Sequence, residues 1–262
     1  MGELLADDAT LHVEVEGGGE PVTVFAHGLT NSCMELAAFT PMAPGTKVRF
    51  CFRGHGHSST PPPGAYRYAD FARDLDAVAR QNGATRAVGT SLGAAALAHL
   101  LARQPDRFER VVFLLPSRLE GAIGSDPLVE RTADLLETLP RDEAIEAILH
   151  ESGRSSSYDA NPGLREFDLL LWQDMNPIGV ARAMREVVLD TAVPEIQALG
   201  AVRAPALVIA REGDSIHPAS VARRLAEVMP EAEAIVLDSE HDLLVSIPQL
   251  VQRVGEFLVG GA

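Results

Sequence analysis

A chain of 262 residues, 46% of them apolar, is long enough for one large α/β domain with an inserted subdomain, and it needs neither metal nor disulfides to fold. Its formal charge of −15 opposes binding to nucleic acid or to an anionic membrane surface, and no apolar run approaches the length of a membrane span. Two cysteines, Cys33 and Cys51, and an acidic start without the basic and apolar stretches of a secretory signal predict a cytoplasmic protein with free thiols and a small-molecule partner.

Leu11-His12-Val13-Glu14-Val15 alternates apolar and polar residues and meets Gly17-Gly18-Gly19, which predicts an edge or near-edge strand of a hairpin. Val22-Thr23-Val24-Phe25-Ala26 and Lys47-Val48-Arg49-Phe50-Cys51 read as further strands. Between Tyr68 and Gln81 the apolar residues Phe71, Leu75, Val78 and Ala79 recur at helical spacing, and Gly83 ends the pattern. Arg86-Ala87-Val88 leads into Gly89-Thr90-Ser91-Leu92-Gly93 and then into an alanine-rich helix former, so Ser91 stands at a strand-to-helix corner. Residues 111–115 and 206–210 are continuous apolar runs, the pattern of strands buried on both faces of a parallel sheet, and residues 234–237 read as the last strand.

Strands alternating with helices predict an α/β fold with a doubly wound, mostly parallel sheet, whose ligands bind at the carboxyl ends of the strands. The alternation stops between about Arg118 and Val193. That stretch holds helix-like pieces at 129–139 and 141–150, a polar interruption Gly153-Arg154-Ser155-Ser156-Ser157, and the apolar run 167–172. The expected organisation is a core of residues 1–117 and 194–262, with 118–193 a helical insertion lying over the strand ends as a lid.

A serine hydroxyl needs a base, an acid that orients the base, and donors for an oxyanion before it acts as a nucleophile. Around Ser91 the corner is too tight for side chains at 89 and 93, which explains the two glycines. His27-Gly28-Leu29 follows a strand, and the Gly28 backbone can approach a ligand closely. The amides of Leu29 and Leu92 are the candidate oxyanion donors. Asp214 follows the strand at 206–210 and His241 follows the last strand, which places both at the edge where Ser91 emerges. The chain order is serine, aspartate, histidine.

That order, the corner and the glycine after His27 together make the sequence resemble the α/β-hydrolase superfamily. His27-Gly28 resembles its oxyanion motif, residues 89–93 its nucleophile elbow, and Gly213-Asp214-Ser215-Ile216-His217-Pro218 its acid loop. His241, with Pro248 seven residues on, is similar to the segment that carries the catalytic histidine. Phe52-Arg53-Gly54-His55-Gly56-His57-Ser58 is similar to the turn beside the oxyanion loop. The chain departs from the pattern at Cys51, where an aspartate is common, and at Arg211 and Glu240, where glycines are usual.

The resemblance decides between competing side chains. His217 lies three residues past Asp214 and is the serious competitor to His241, but the resemblance gives it no base role; Glu212 and Asp238 flank the favoured acid. His27 is expected to have a structural hydrogen-bonding role, and His99 to pack within the helix after Ser91. His55 and His57 lack a third ligand at fitting spacing, so no metal is expected. Gly28, Asn31 and Trp172 are candidate substrate contacts, with helix capping the competing role for Asn31 and packing that for Trp172.

The resemblance implies a lid-bearing serine hydrolase of the esterase or lactonase kind: Ser91 attacks an acyl carbonyl, His241 takes its proton, Asp214 holds the histidine, and no cofactor takes part. The expected substrate is a small or medium ester, lactone or thioester. A carbon–carbon bond hydrolase of a diketone-type substrate and a cofactor-free perhydrolase use the same triad, and a ligand-binding homologue that has lost turnover keeps the same fold. Haloalkane dehalogenase and epoxide hydrolase activities are disfavoured, because they use an aspartate where Ser91 stands.

Overall fold

The computed structural model describes residues 1–151, 158–159 and 162–260; the polar interruption at 153–157 lies outside the described residues. The chain forms an eight-stranded sheet in the order β1-β2-β4-β3-β5-β6-β7-β8. The strands are β1 (Gly2–Ala6), β2 (Ala9–Gly17), β3 (Val22–Ala26), β4 (Thr46–Phe50), β5 (Arg86–Thr90), β6 (Arg110–Leu114), β7 (Ala206–Arg211) and β8 (Ala232–Leu237). β1 with β2 and β2 with β4 are antiparallel, and every other pairing is parallel. The doubly wound, mostly parallel sheet expected from the sequence is therefore present.

The predicted hairpin has its turn at the other end of the strand. β2 pairs back on β1 through Asp7 and Asp8, with Ala6 opposite Ala9, whereas the glycines at 17–19 lead to β3, which lies beyond β4. Leu4 and Ala6 are buried, and that gives the short acidic start enough apolar contact to form the outer strand.

Alternation of side chains across the central strands builds two cores. On one face Val24, Ala26, Ala87, Val111, Phe113, Ala206 and Val208 pack under α1 (Tyr68–Gln81) and α2 (Leu92–Leu101). On the other, Phe25, Val88, Val112, Leu207 and Ile209 pack under the last helix, which supplies Leu250, Val254, Phe257 and Leu258. Each residue of β3 is buried, as a strand covered on both sides must be. α2 is buried along its whole length, and its alanines let it lie close to the sheet.

Between β6 and β7 the chain forms α3 (Pro127–Thr138), α4 (Arg141–Glu151), α5 (Pro162–Leu171) and α6 (Pro177–Val187). Asp126 caps α3 by accepting the Leu128 amide at 2.8 Å, Asn176 caps α6 by accepting that of Gly179 at 3.1 Å, and each helix begins with a proline. Of these, α3, α4 and α6 share an apolar cluster of Ala133, Leu136, Ala144, Met175, Val180 and Met184, with Leu29 and Trp172 packed against it. Glu186 fastens α6 to the core by accepting the amides of Gly64 (2.6 Å) and Tyr66 (3.0 Å). Three helices follow: α7 (Ala219–Val228) after β7, then α8 (Glu240–Val245) and α9 (Ile247–Val259) after β8. Among the described residues no helix is long and apolar enough to cross a membrane.

Candidate active site

The corner after β5 is as tight as its glycines suggest. A Cβ on Gly93 would lie 2.1 Å from the Ala26 carbonyl oxygen, and one on Gly89 would lie 2.5 Å from that of Gly93. Ser91 adopts φ 49°, ψ −108°, a conformation that costs a non-glycine residue about 1–3 kcal/mol and lifts its hydroxyl clear of strand and helix. Its amide donates to the Leu114 carbonyl at 3.0 Å, which holds the strained turn against β6.

The Ser91 hydroxyl lies 2.8 Å from Nε2 of His217. Nδ1 of the same ring donates to Oδ2 of Asp214 at 3.1 Å, so Nε2 faces the serine as an acceptor. Asp214 Oδ1 accepts the amides of Ile216 (3.0 Å) and His217 (2.9 Å), closing a tight turn that folds the histidine back over its own acid. Burial alone would raise the Asp214 carboxyl; the bonds from His217 and the nearby charges of His217 and Arg211 outweigh it and hold the carboxyl well below the usual carboxylate range. Arg211 Nη2 is 2.8 Å from Asp214 Oδ2 and 3.9 Å from Glu240 Oε1. Two of the departures from the superfamily pattern thus meet beside the acid.

His241, expected as the base, is elsewhere. Ser239 caps α8 by accepting the Asp242 amide at 3.1 Å, and this draws His241 into the first turn with its side chain exposed. Among the described residues its ring has no hydrogen-bond partner. The histidine on Ser91 is instead the competitor from the acid loop. Its signal in the sequence was the Asp-x-x-His spacing, which an aspartate-capped turn converts into a side-chain contact.

Side chains pin the loop after β3 at three successive peptide planes. His27 Nε2 accepts the Phe52 amide at 3.0 Å, so its Nδ1 carries the proton and donates to the Gly28 carbonyl at 2.7 Å. Burial and the neighbouring His55 push His27 down to about 3, which keeps it neutral and confined to the structural role expected of it. The Gly28 carbonyl and the Leu29 N–H belong to one plane, so the bond from His27 also aims the Leu29 amide. His55 Nε2 holds the Leu29 carbonyl at 2.5 Å and its Nδ1 lies 2.8 Å from that of Arg53, which occupies both ring nitrogens. Among the described residues the Leu29 amide has no acceptor, and that of Leu92 opens α2, where no preceding turn exists to accept it.

Glu35 was not singled out from the sequence. Its Oε2 accepts the Gly28 amide at 2.6 Å and its Oε1 accepts Asn31 Nδ2 at 2.5 Å, so Asn31 braces the loop through Glu35. A Cβ on Gly28 would lie 3.3 Å from Glu35 Oε1 and 3.5 Å from Ser91 Cβ, so the carboxyl and the serine side chain flank the same point. An asparagine four residues before a glutamate, three residues after the glycine of the loop, is the pattern that carried this pair. Trp172 lies in the insertion's cluster, the one that Leu29 touches. Away from Ser91, and among the described residues, His12 Nε2, Glu14 Oε1 and Cys33 Sγ lie within 4.8 Å of one another.

The family described as alpha/beta hydrolase fold matches residues 48–246. No curated protein matches the chain. Among solved structures, the enol-lactonase from Burkholderia xenovorans LB400 is 20% identical with a TM-score of 0.81, over 99% of this chain and 100% of that one. A hydrolase from Pseudomonas aeruginosa PA01 is 26% identical with a TM-score of 0.79, over 99% of this chain and 98% of that one. A thermophilic esterase from Thermogutta terrifontis, solved with malate bound, is 22% identical with a TM-score of 0.75, over 96% and 93%.

Proposed function

Because the chain belongs to the alpha/beta hydrolase fold family, we propose that it is a serine hydrolase in which Ser91 is the nucleophile, His217 its base and Asp214 the acid that orients the base. The 2.8 Å contact of Ser91 Oγ with His217 Nε2 carries this reading, because it pairs the hydroxyl of a strained, half-buried residue with an acceptor nitrogen. Ser91 attacks an acyl carbonyl as its proton passes to His217, and Asp214 stabilises the imidazolium that forms. The Leu29 and Leu92 amides receive the oxyanion, each such donor contributing about 2.7–4 kcal/mol in the transition state. The imidazolium returns its proton to the leaving group; water, deprotonated by His217, then releases the acid and regenerates Ser91.

Residues 118–193 are the lid in this reading, with 1–117 and 194–262 the core. Leu29 supports it, since its amide faces the reaction while its side chain packs on the insertion, so lid position and oxyanion geometry are mechanically joined. Gly28, Asn31 and Trp172 border the acyl site. The substrate is a small or medium ester, lactone or thioester, in keeping with the lactonase and esterase that share the fold.

The test is hydrolysis of a panel of short-chain esters, thioesters and lactones by the wild type and by Ser91→Ala. The expected result is turnover by the wild type and a loss of at least about 10³-fold in kcat/KM in the variant. Turnover that survives Ser91→Ala contradicts the proposal.

A further inference from the structure

Cys51 stands where the resemblance expects an aspartate, and beside it an imidazole, a carboxylate and a thiol come together. His12 and Glu14 are two apart on β2, so both side chains leave the same face of the strand, and the turn after β3 lays Cys33 over them. Cys33 is buried, and only 14% and 22% of the His12 and Glu14 side chains remain exposed. His12 Nε2 is already 3.2 Å from Glu14 Oε1. Ligands of a tetrahedral zinc ion stand about 3.3–3.8 Å apart, given bonds of about 2.0 Å to nitrogen or oxygen and 2.3 Å to sulfur. The imidazole and carboxylate therefore stand at ligand spacing, and Cys33 Sγ, no more than 4.8 Å from either, closes the set by moving about 1 Å.

The geometry points to a binding site for one divalent, thiolate-accepting cation of the zinc class, held by His12 Nε2, Glu14 Oε1 and Cys33 Sγ with solvent in the fourth position. Arg49 supports the site without filling it: its Nη2 bonds Glu14 Oε2 at 2.8 Å, so that Oε1 faces His12 alone, and its Nη1 reaches the Cys33 carbonyl at 3.4 Å. Thiolate, carboxylate and guanidinium together leave one net negative charge for a divalent ion to meet. On binding, Cys33 exchanges its thiol proton for the metal and that proton passes to solvent, while the His12 ring proton facing Glu14 shifts to Nδ1 so that Nε2 can ligate, with no change of oxidation state. Cys51 Sγ accepts the Cys33 amide at 3.5 Å and supports the ligand from behind. The reading that expected no metal weighed only the His55-x-His57 pair; these ligands come from β2 and from the turn after β3, which sequence spacing does not join.

The experiment titrates chelator-stripped, reduced full-length protein with cobalt(II), a spectroscopic stand-in for zinc, and then back-titrates with zinc. The expected result is one equivalent bound, with intense tetrahedral visible bands and a thiolate-to-cobalt charge-transfer band, all displaced by zinc. Cys33→Ser should abolish the charge-transfer band, His12→Ala should weaken binding at least about tenfold, and Cys51→Ser, which removes no ligand, should keep the charge-transfer band. Circular dichroism identifies any variant that has not folded, and Glu14→Gln, expected to weaken binding by a similar factor, then stands in for it. Wild-type spectra that stay those of aqueous cobalt overturn the inference. A charge-transfer band that survives Cys33→Ser, or an air-stable protein 2 Da lighter than its reduced mass that binds no cobalt, overturns it as well.

Discussion

Burial pushes the Glu35 carboxyl up to about 7 even though the Gly28 amide and the Asn31 side chain both donate to it. The folded chain therefore holds this proton more tightly than the unfolded chain, whose carboxyl titrates near 4.5. Below pH 4.5 both states are protonated and Glu35 has no effect on the balance. As pH rises from 4.5 to 7 the folded state is progressively penalised, by at most about 3 kcal/mol, and the deficit then stays constant. Thermal unfolding of Glu35→Gln against wild type should show the variant gaining stability relative to wild type across that window and not beyond it; parallel curves contradict the assignment. At this scale the sequence was legible at Ser91, Asp214, Leu29 and Leu92, whose positions follow from strand ends and from the glycines beside them. It put the base at His241, because similarity assigns a role by order along the chain, whereas the contact with Ser91 depends on which local turn forms and is made by His217. The Asp214 turn folds His217 inward, and the Ser239 cap takes His241 outward.

Elements follow the apolar pattern closely where tertiary packing reinforces it. β3 and α1 coincide with their predicted spans, since the strand is covered on both faces and the helix buries one stripe of Phe71, Leu75, Val78 and Ala79. β1 escaped, because five residues with two buried side chains carry little pattern, and its existence depends on β2 beside it. Two substitutions probe the elements that place the site. Ser239→Ala removes the cap of α8 and should cost about 1 kcal/mol, read as a lower urea midpoint with the slope unchanged. Gly179→Ala puts a methyl 2.1 Å from the Gly54 carbonyl oxygen, at the seam between α6 and the turn after β4. It should lower stability by about 1–3 kcal/mol, and an unchanged melting temperature would show that the seam yields freely.

Across the whole molecule, distant segments are joined by buried polar contacts as well as by the two apolar cores. Arg53, fully buried, forms a two-pronged pair with the equally buried Asp74 of α1 at 2.8 and 2.9 Å and reaches Asp8 in the β1–β2 turn at 2.9 Å. Breaking that pair with Asp74→Asn should destabilise the fold by up to about 3–5 kcal/mol, measured by chemical denaturation, because the buried guanidinium loses its one buried carboxylate partner and keeps only the exposed Asp8; a change under 1 kcal/mol contradicts that role. The same assembly brings Ser91 at the end of β5 against Asp214 and His217 after β7, more than a hundred residues later, with β6 between the two strands. The most direct test of that juxtaposition is intact-mass detection of fluorophosphonate labelling in the wild type, Ser91→Ala, His217→Ala and His241→Ala, each shown to be folded. The account predicts one label on the wild type and on His241→Ala, and none on Ser91→Ala or His217→Ala at matched times. Labelling that survives in His217→Ala and vanishes in His241→Ala would contradict it and return the base to the segment after β8.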